Sequence, residues 1–193
     1  MDETLFRAIN GLAGRSGLVD QIMLELGHGR NFLIPGLLVF AYWFWRRRRE
    51  ALVGVSTLTG VIIIGDFIGA QLKHLAARPR PCQVLPQVHE IVTCGGTFSF
   101  PSNHALNTAT AAAFFQTLYP MTGWVSWPLV AVIGFSRVYL GGHYVSDVLG
   151  GWTIGGGIGV AAALLLSRWA IFRPAQAAHA SSVSTAERES SPH

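Results

Sequence analysis

Half of this 193-residue chain is hydrophobic and only 12% is charged, with a mean hydropathy of +0.39. Soluble domains carry about a quarter charged residues, so the deficit excludes an ordinary soluble fold and points to one membrane domain, the length being too small for two. The formal net charge of +4 would suit a nucleic-acid partner. The basic residues form no long stripe beside aromatics, however. They gather at the ends of apolar stretches, which argues against nucleic acid and for a lipid bilayer.

In chain order, residues 1–28 come first, with Leu5, Phe6, Ile9, Leu12, Val19, Ile22, Met23 and Leu26 at helical spacing. They predict an amphipathic segment of one or two short helices, either lying on the membrane surface or packed on the bundle. The opening "MDETLFRAINGLAGRSG" lacks the continuous apolar core of a signal peptide, so the first membrane helix is expected to insert the chain.

Five spanning candidates follow, at about Asn31 to Trp45, Ala51 to Leu75, Asn103 to Tyr119, Trp124 to Leu140 and Tyr144 to Phe172. Isolated strands would leave backbone groups unpaired in lipid. The expected fold class is therefore all-α, a polytopic membrane helical bundle of about five transmembrane helices plus the N-terminal interfacial helix. Residues 1–173 form the membrane domain, 76–100 an extracytoplasmic loop, and 174–193 a small-residue, polar tail expected to be disordered and cytoplasmic. Gly151, Gly155 and Gly159, one turn apart, predict close approach of another helix.

Arg46 to Arg49 separate the first two spans, and Arg168 and Arg173 close the fifth. Five crossings bring these to one side, which the positive-inside rule makes cytoplasmic. Lys73, Arg78, Arg80 and Arg137 then lie outside, against that rule, and call for another explanation. Cys82 and Cys94 share the outward loop. Two free thiols or a bridge are open to them, and an oxidising compartment favours the bridge, which would hold the loop over the outer end of the bundle.

Three stretches carry chemistry. "KHLAARPRP" places Lys73, Arg78 and Arg80 at a helix exit stiffened by Pro79 and Pro81, a pattern that by itself is an interfacial anchor. "FPSNHA" puts Ser102 and Asn103 at a helix N-terminus, where free N–H groups attract anions, with His104 in the first turn. "SRVYLGGHYVSD" places Arg137 near the end of the fourth span and His143 and Asp147 on one face of the fifth, at hydrogen-bonding spacing. Each has a structural reading on its own. Together, at one membrane face, they offer charge neutralisation, a nucleophile and a proton donor, which is what cleavage of a phosphate ester requires.

These motifs resemble those of the type 2 phosphatidic acid phosphatase family, membrane relatives of the vanadium haloperoxidases: Lys, six residues, Arg-Pro; Pro-Ser-any-His; and Ser-Arg, five residues, His, three residues, Asp. The match covers residues 73–147 in order. The resemblance implies that His143 attacks phosphorus and forms a phosphohistidine while Asp147 orients it. His104 would protonate the leaving oxygen and later activate water. Lys73, Arg80 and Arg137 would hold the phosphate oxygens with Ser102 and neighbouring N–H groups. Asn103 stands where the family commonly has Gly, and its amide is a further phosphate donor by this reading.

No metal and no cofactor are implied. Asp66, inside the second span, is expected to make a structural hydrogen bond, and Arg78 lies outside the matched positions. The implied substrate is a phosphorylated envelope lipid of a bacterial inner membrane, met on the outer side. Undecaprenyl diphosphate stands ahead of phosphatidylglycerol phosphate, with phosphatidic acid and lipid A phosphate also in reach. The alternatives are phosphotransfer to an acceptor lipid by the same residues, and a lipid or anion transporter. The oligomeric state is not readable from the sequence.

Overall fold

The computed structural model describes residues 1–28, 31, 33–91 and 94–169. Its elements are α1 (Asp2–Asn10), α2 (Gly17–Gly27), α3 (Leu33–Ala76), α4 (Pro81–Val84), α5 (Asn103–Leu118), a 3-10 turn (Pro120–Thr122), α6 (Gly123–Tyr139) and α7 (Val145–Ser167). Among the described residues there is no β-strand, only an isolated bridge between Pro79 and Phe98. The expected tail at 174–193 and the end of the fifth span lie outside the described residues.

The first two predicted spans are both contained in α3, which is helical throughout except at Arg47 (φ −148°, ψ 65°). A straight helix would separate Trp43 from Gly54 by about 16 Å along its axis. Instead, a Cβ placed on Gly54 would lie 2.2 Å from the Trp43 ring, so the chain turns back on itself at Arg47. The turn is pinned by Arg47 Nη1 donating to Glu50 Oε1 at 2.8 Å. Tyr119 Oη donates to Glu50 Oε2 at 2.6 Å and accepts from Trp43 Nε1 at 3.2 Å. Among the described residues, the helical stretches Ile34–Ala76, which contains the Arg47 turn, and Val145–Ser167 are long and apolar enough to cross a membrane. Ile63, Ile64, Phe67, Leu164 and Leu165 point outward from them, a surface suited to lipid.

The centre of the bundle is the α5–α7 contact. A Cβ on Gly151 would lie 2.7 Å from the Ser102 carbonyl oxygen, on Gly155 2.0 Å from that of Leu106, and on Gly159 2.3 Å from that of Thr110. The glycine stripe thus lets two backbones touch, as its spacing predicted. Gly134 admits α7 to α6 in the same way, because a Cβ there would meet Trp152 at 2.4 Å.

Of the two placements open to the N-terminal segment, α1 takes packing. Phe6 is buried with Ala105, Val138, Tyr144 and Val148. Asn10 Nδ2 donates to the carbonyls of Tyr139 (2.9 Å) and His89 (3.0 Å), and its Oδ1 accepts from His89 N at 3.0 Å. The first segment is therefore tied to both α6 and the 85–91 loop. Leu18, Val19 and Ile22 of α2 remain exposed, on a face suited to lipid.

Candidate active site

The end of α3, the starts of α4, α5 and α7, and the end of α6 meet at one pole of the bundle, opposite the Arg47 turn. There they enclose a cavity of about 390 Å³ lined by Lys73, Arg80, Asn103, His104, Arg137 and His143, with Cys82, Cys94, Gly95, Leu140 and Gly142 completing the wall. The three distant stretches therefore converge, and the two histidines face one space.

Local structure explains each placement. Prolines 79 and 81 end α3 and start α4, which carries Arg80 across the mouth. Arg80 Nη1 donates to the Gly142 carbonyl at 3.0 Å. Its guanidinium lies over Gly96, whose φ of +79° and 3.3 Å clearance from Arg80 Nη2 leave no comfortable room for a side chain. Cys82 and Cys94 are joined in a disulfide with Cα atoms 6.0 Å apart, which holds that loop against the cavity. Arg137 Nη1 reaches the Gly27 carbonyl at 3.4 Å, so the end of α2 closes the opposite rim.

His143 is buried, and its Nδ1 lies 2.8 Å from the Ser99 carbonyl oxygen. A carbonyl only accepts, so Nδ1 carries the proton and the neutral ring presents its lone pair at Nε2. Arg80 Nη1 sits 3.2 Å from that nitrogen. Burial pushes the His143 pKa down to about 4; Asp147 opposes this and Arg80 reinforces it. The ring is thus uncharged at neutral pH, with the Nε2 lone pair toward the cavity.

This corrects one expectation. His143 and Asp147 share a face, but Nδ1 and Asp147 Oδ2 are 3.6 Å apart, beyond hydrogen-bonding distance. Ser99 takes the hydrogen bond instead. Asp147, fully buried, accepts from the Tyr144 backbone N–H at Oδ2 (2.8 Å) and from Arg78 Nη1 at Oδ1 (2.8 Å).

The remaining predicted residues divide. Lys73 Nζ donates to the Pro101 carbonyl and lines the cavity. His104 sits exposed at the rim. Ser102 is buried behind the cavity wall, its N–H given to the Asp147 carbonyl at 3.0 Å and its Oγ unpartnered among the described residues. Asn103 does not turn its amide nitrogen to the cavity. Nδ2 donates to Asp66 Oδ1 at 3.1 Å, beside a second donation to the same oxygen from Asn107 at 2.9 Å. Asp66 therefore ties α3 to α5, and what Asn103 offers an anion is its first-turn backbone N–H.

Residues the sequence reading did not place are Ser99, whose role is carried by its backbone, and Arg78. Arg78 shows in the sequence as a second guanidinium, directly before Pro79, with nothing there to name its partner.

Among the described residues no carboxylate pairs with Lys73, Arg80 or Arg137, and Arg80 Nε and Arg137 Nε are buried donors without partners. Burial lowers the Arg80 pKa from its ordinary value, with Asp147 opposing; an arginine remains charged regardless. Among the described residues, three cations without a carboxylate partner and two orphaned donors thus surround a buried imidazole, an arrangement chemically suited to an anion.

Residues 51–171 match the PAP2 superfamily. The undecaprenyl-diphosphatase BcrC of Bacillus subtilis is 29% identical, over 78% of this chain and 76% of its own. The crystal structure of Aquifex aeolicus LpxE superposes with a TM-score of 0.67 at 25% identity, covering 83% of this chain and 93% of that one. The transmembrane PAP2-type phosphatidylglycerolphosphate phosphatase of Bacillus subtilis gives a TM-score of 0.61 at 26% identity, covering 86% of each chain.

Proposed function

This chain belongs to the PAP2 superfamily of membrane phosphatases, and from that premise we propose that it removes phosphate from an envelope lipid through a phosphohistidine on His143. The observation that carries the reading is the placement of His143 Nε2. A hydrogen bond to Ser99 sets its tautomer, and it faces a cavity shared with His104 and three cations that no carboxylate pairs among the described residues.

The steps follow from those positions. A phosphoryl group enters with its oxygens against Lys73, Arg80, Arg137 and the first-turn N–H groups of α5. Nε2 attacks phosphorus as the bond to the leaving oxygen breaks, and His104 gives that oxygen a proton. The imidazole then carries a positive charge, stabilised by the Asp147 carboxylate 3.6 Å from Nδ1. Water, giving its proton to His104, attacks the phosphohistidine, and inorganic phosphate leaves with Nε2 again free. Positioning and charge supply most of the rate enhancement in such transfers.

We read five membrane crossings, counting α3 as a hairpin, with the catalytic pole on the non-cytoplasmic side of a bacterial inner membrane. The arginines at 46–49 lie at the opposite pole, and that distribution supports the orientation. A lipid whose tail stays in the bilayer meets such a pole with its headgroup. The relatives' names support undecaprenyl diphosphate first and phosphatidylglycerol phosphate second.

The test is a phosphate-release panel on purified protein in detergent, using those two lipids, phosphatidic acid and lipid A phosphate. His143→Ala is expected to abolish release on every lipid while retaining the wild-type melting transition. Wild-type turnover by that variant, or a phosphoenzyme trapped on another residue, would remove His143 as nucleophile. Product analysis with an acceptor lipid present separates hydrolysis from phosphotransfer.

A further inference from the structure

Arg78 has no part in the mechanism above, yet it is the most heavily committed cation at the catalytic pole. Its Nη1 donates to Asp147 Oδ1 at 2.8 Å and to Ser146 Oγ at 2.6 Å. Its Nη2 donates to Asp2 Oδ2 at 2.6 Å, and the guanidinium carbon lies 4.0 Å from the centroid of the Tyr144 ring. Asp2 also accepts from the Ser146 backbone N–H at 3.1 Å and from Ser146 Oγ at 2.5 Å. One guanidinium thus joins α1, the exit of α3 and the first turn of α7.

Arg78 is absent from the cavity lining, so this network does not hold phosphate. What it holds is the orientation of Asp147. The two carboxylate oxygens take hydrogen bonds from Arg78 and from the Tyr144 N–H, and neither comes from His143. A fully buried carboxylate with only a neutral imidazole nearby is heavily penalised, and the paired guanidinium offsets the cost of burying its charge. That charge is needed when Nε2 takes up the phosphoryl group and the ring becomes cationic. Asp2, the second carboxylate on Arg78, fixes the fork in the plane that reaches Asp147.

We propose that Arg78 is a positioning residue that holds the Asp147 carboxylate aimed at His143, and that Asp2 locks Arg78, making α1 part of the catalytic scaffold. This rests on the phosphatase reading above and adds to it a role for two residues outside the matched motif positions.

Arg78→Met, Arg78→Lys, Asp2→Asn and the Asp2→Asn/Arg78→Met double variant are assayed for phosphate release from undecaprenyl diphosphate in detergent, beside wild type and His143→Ala. Misplacing a reacting group by about 1 Å costs on the order of 100-fold, so Arg78→Met is expected to lower kcat by about that factor with KM within about twofold. Arg78→Lys, which keeps the charge without the fork, recovers about tenfold of the loss. Asp2→Asn lowers kcat by about fivefold in the wild-type background and has no effect once Arg78 is Met, the signature of two residues acting as one unit.

Arg78→Lys and Asp2→Asn keep the test open should Arg78→Met not fold. A raised KM with unchanged kcat would make Arg78 a substrate-binding group. Additive losses in the double variant would separate Asp2 from the network. Either result overturns the proposal while His143→Ala stays inactive; turnover by His143→Ala would instead bring down the phosphatase reading beneath it.

Discussion

Replacing Gly155 by Ala tests whether catalysis depends on the backbone contact between α5 and α7. A Cβ there would sit 2.0 Å from the Leu106 carbonyl oxygen, 2.8 Å from its carbonyl carbon and 3.0 Å from its Cα. All three are backbone atoms, so no side chain can swing aside, and the helices must part. Restoring an ordinary 3.4 Å contact requires a separation of about 1.4 Å. α5 begins with the first-turn N–H groups and His104, while α7 begins just after His143, so a parting of this size shifts the two histidines, the proposed proton donor and nucleophile, against each other. Displacements of this order cost about 100-fold in turnover, and overpacking costs about 1–3 kcal/mol, offset in part by the better helix propensity of Ala. Gly156 is the internal control: a Cβ there meets nothing within 4 Å. Gly156→Ala is expected to keep full phosphate release and to melt slightly higher, by the roughly 1 kcal/mol that Ala gains over Gly in a helix. Phosphate release and thermal melting are measured for both variants in the same detergent. Wild-type release and melting by Gly155→Ala would refute the argument, because they would mean that the two backbones do not touch.

Three further outcomes follow from the site. His104→Gln is expected to lower kcat/KM, which reports the steps up to departure of the leaving group, by about 100-fold or more for phosphatidic acid, whose leaving group is an alkoxide, and far less for undecaprenyl diphosphate, whose leaving group is a phosphate oxyanion; equal losses of kcat/KM on both would remove His104 as general acid. Because His143 is held near pKa 4, against 6.5 for the free side chain, the unfolded chain binds a proton that the folded one refuses between those values. Stability is therefore lost as pH falls from about 6.5 toward 4, on the order of 3 kcal/mol for this group. The loss should be smaller by that share in His143→Gln, as read by melting at stepped pH. Removing the Cys82–Cys94 bridge as a double Ser variant is expected to cost about 3 kcal/mol by the chain-entropy argument and to lower turnover by freeing the loop that carries a cavity wall, measured by melting and phosphate release against the oxidised protein.

Much of the bundle was legible because its boundaries are written in residues with strong local preferences. Pro101 and Ser102 precede α5, Pro120 follows it, and Gly141 and Gly142 separate α6 from α7. The turn at Arg47 was harder to read. Four arginines and a glutamate interrupt the hydropathy, yet only one residue leaves helical backbone angles, and the reversal shows itself in the packing of Trp43 on Gly54 rather than in any turn residue. The placement of α1 was not legible at all. An amphipathic stripe is satisfied equally by a bilayer and by a groove, and the deciding partners of Asn10, the carbonyls of Tyr139 and His89, are backbone atoms far along the chain.

The same limit explains how the catalytic pole was read. Residue types and spacing brought His143, His104 and the cations together, but Ser99 holds His143 through a carbonyl, which any residue possesses. Nor does a count of four outer cations say which are already neutralised. The geometry separates them: Arg78 is bound to Asp2 and Asp147, whereas no carboxylate pairs with Lys73, Arg80 or Arg137 among the described residues. Had a carboxylate stood beside Arg80 or Arg137, an incoming phosphate would have had to displace it. With the acidic groups drawn to Arg78 behind the imidazole, the positive charge in front of Nε2 stays free for the phosphoryl oxygens. The negative charge stays behind the imidazole, where the proposed phosphohistidine cation would need it.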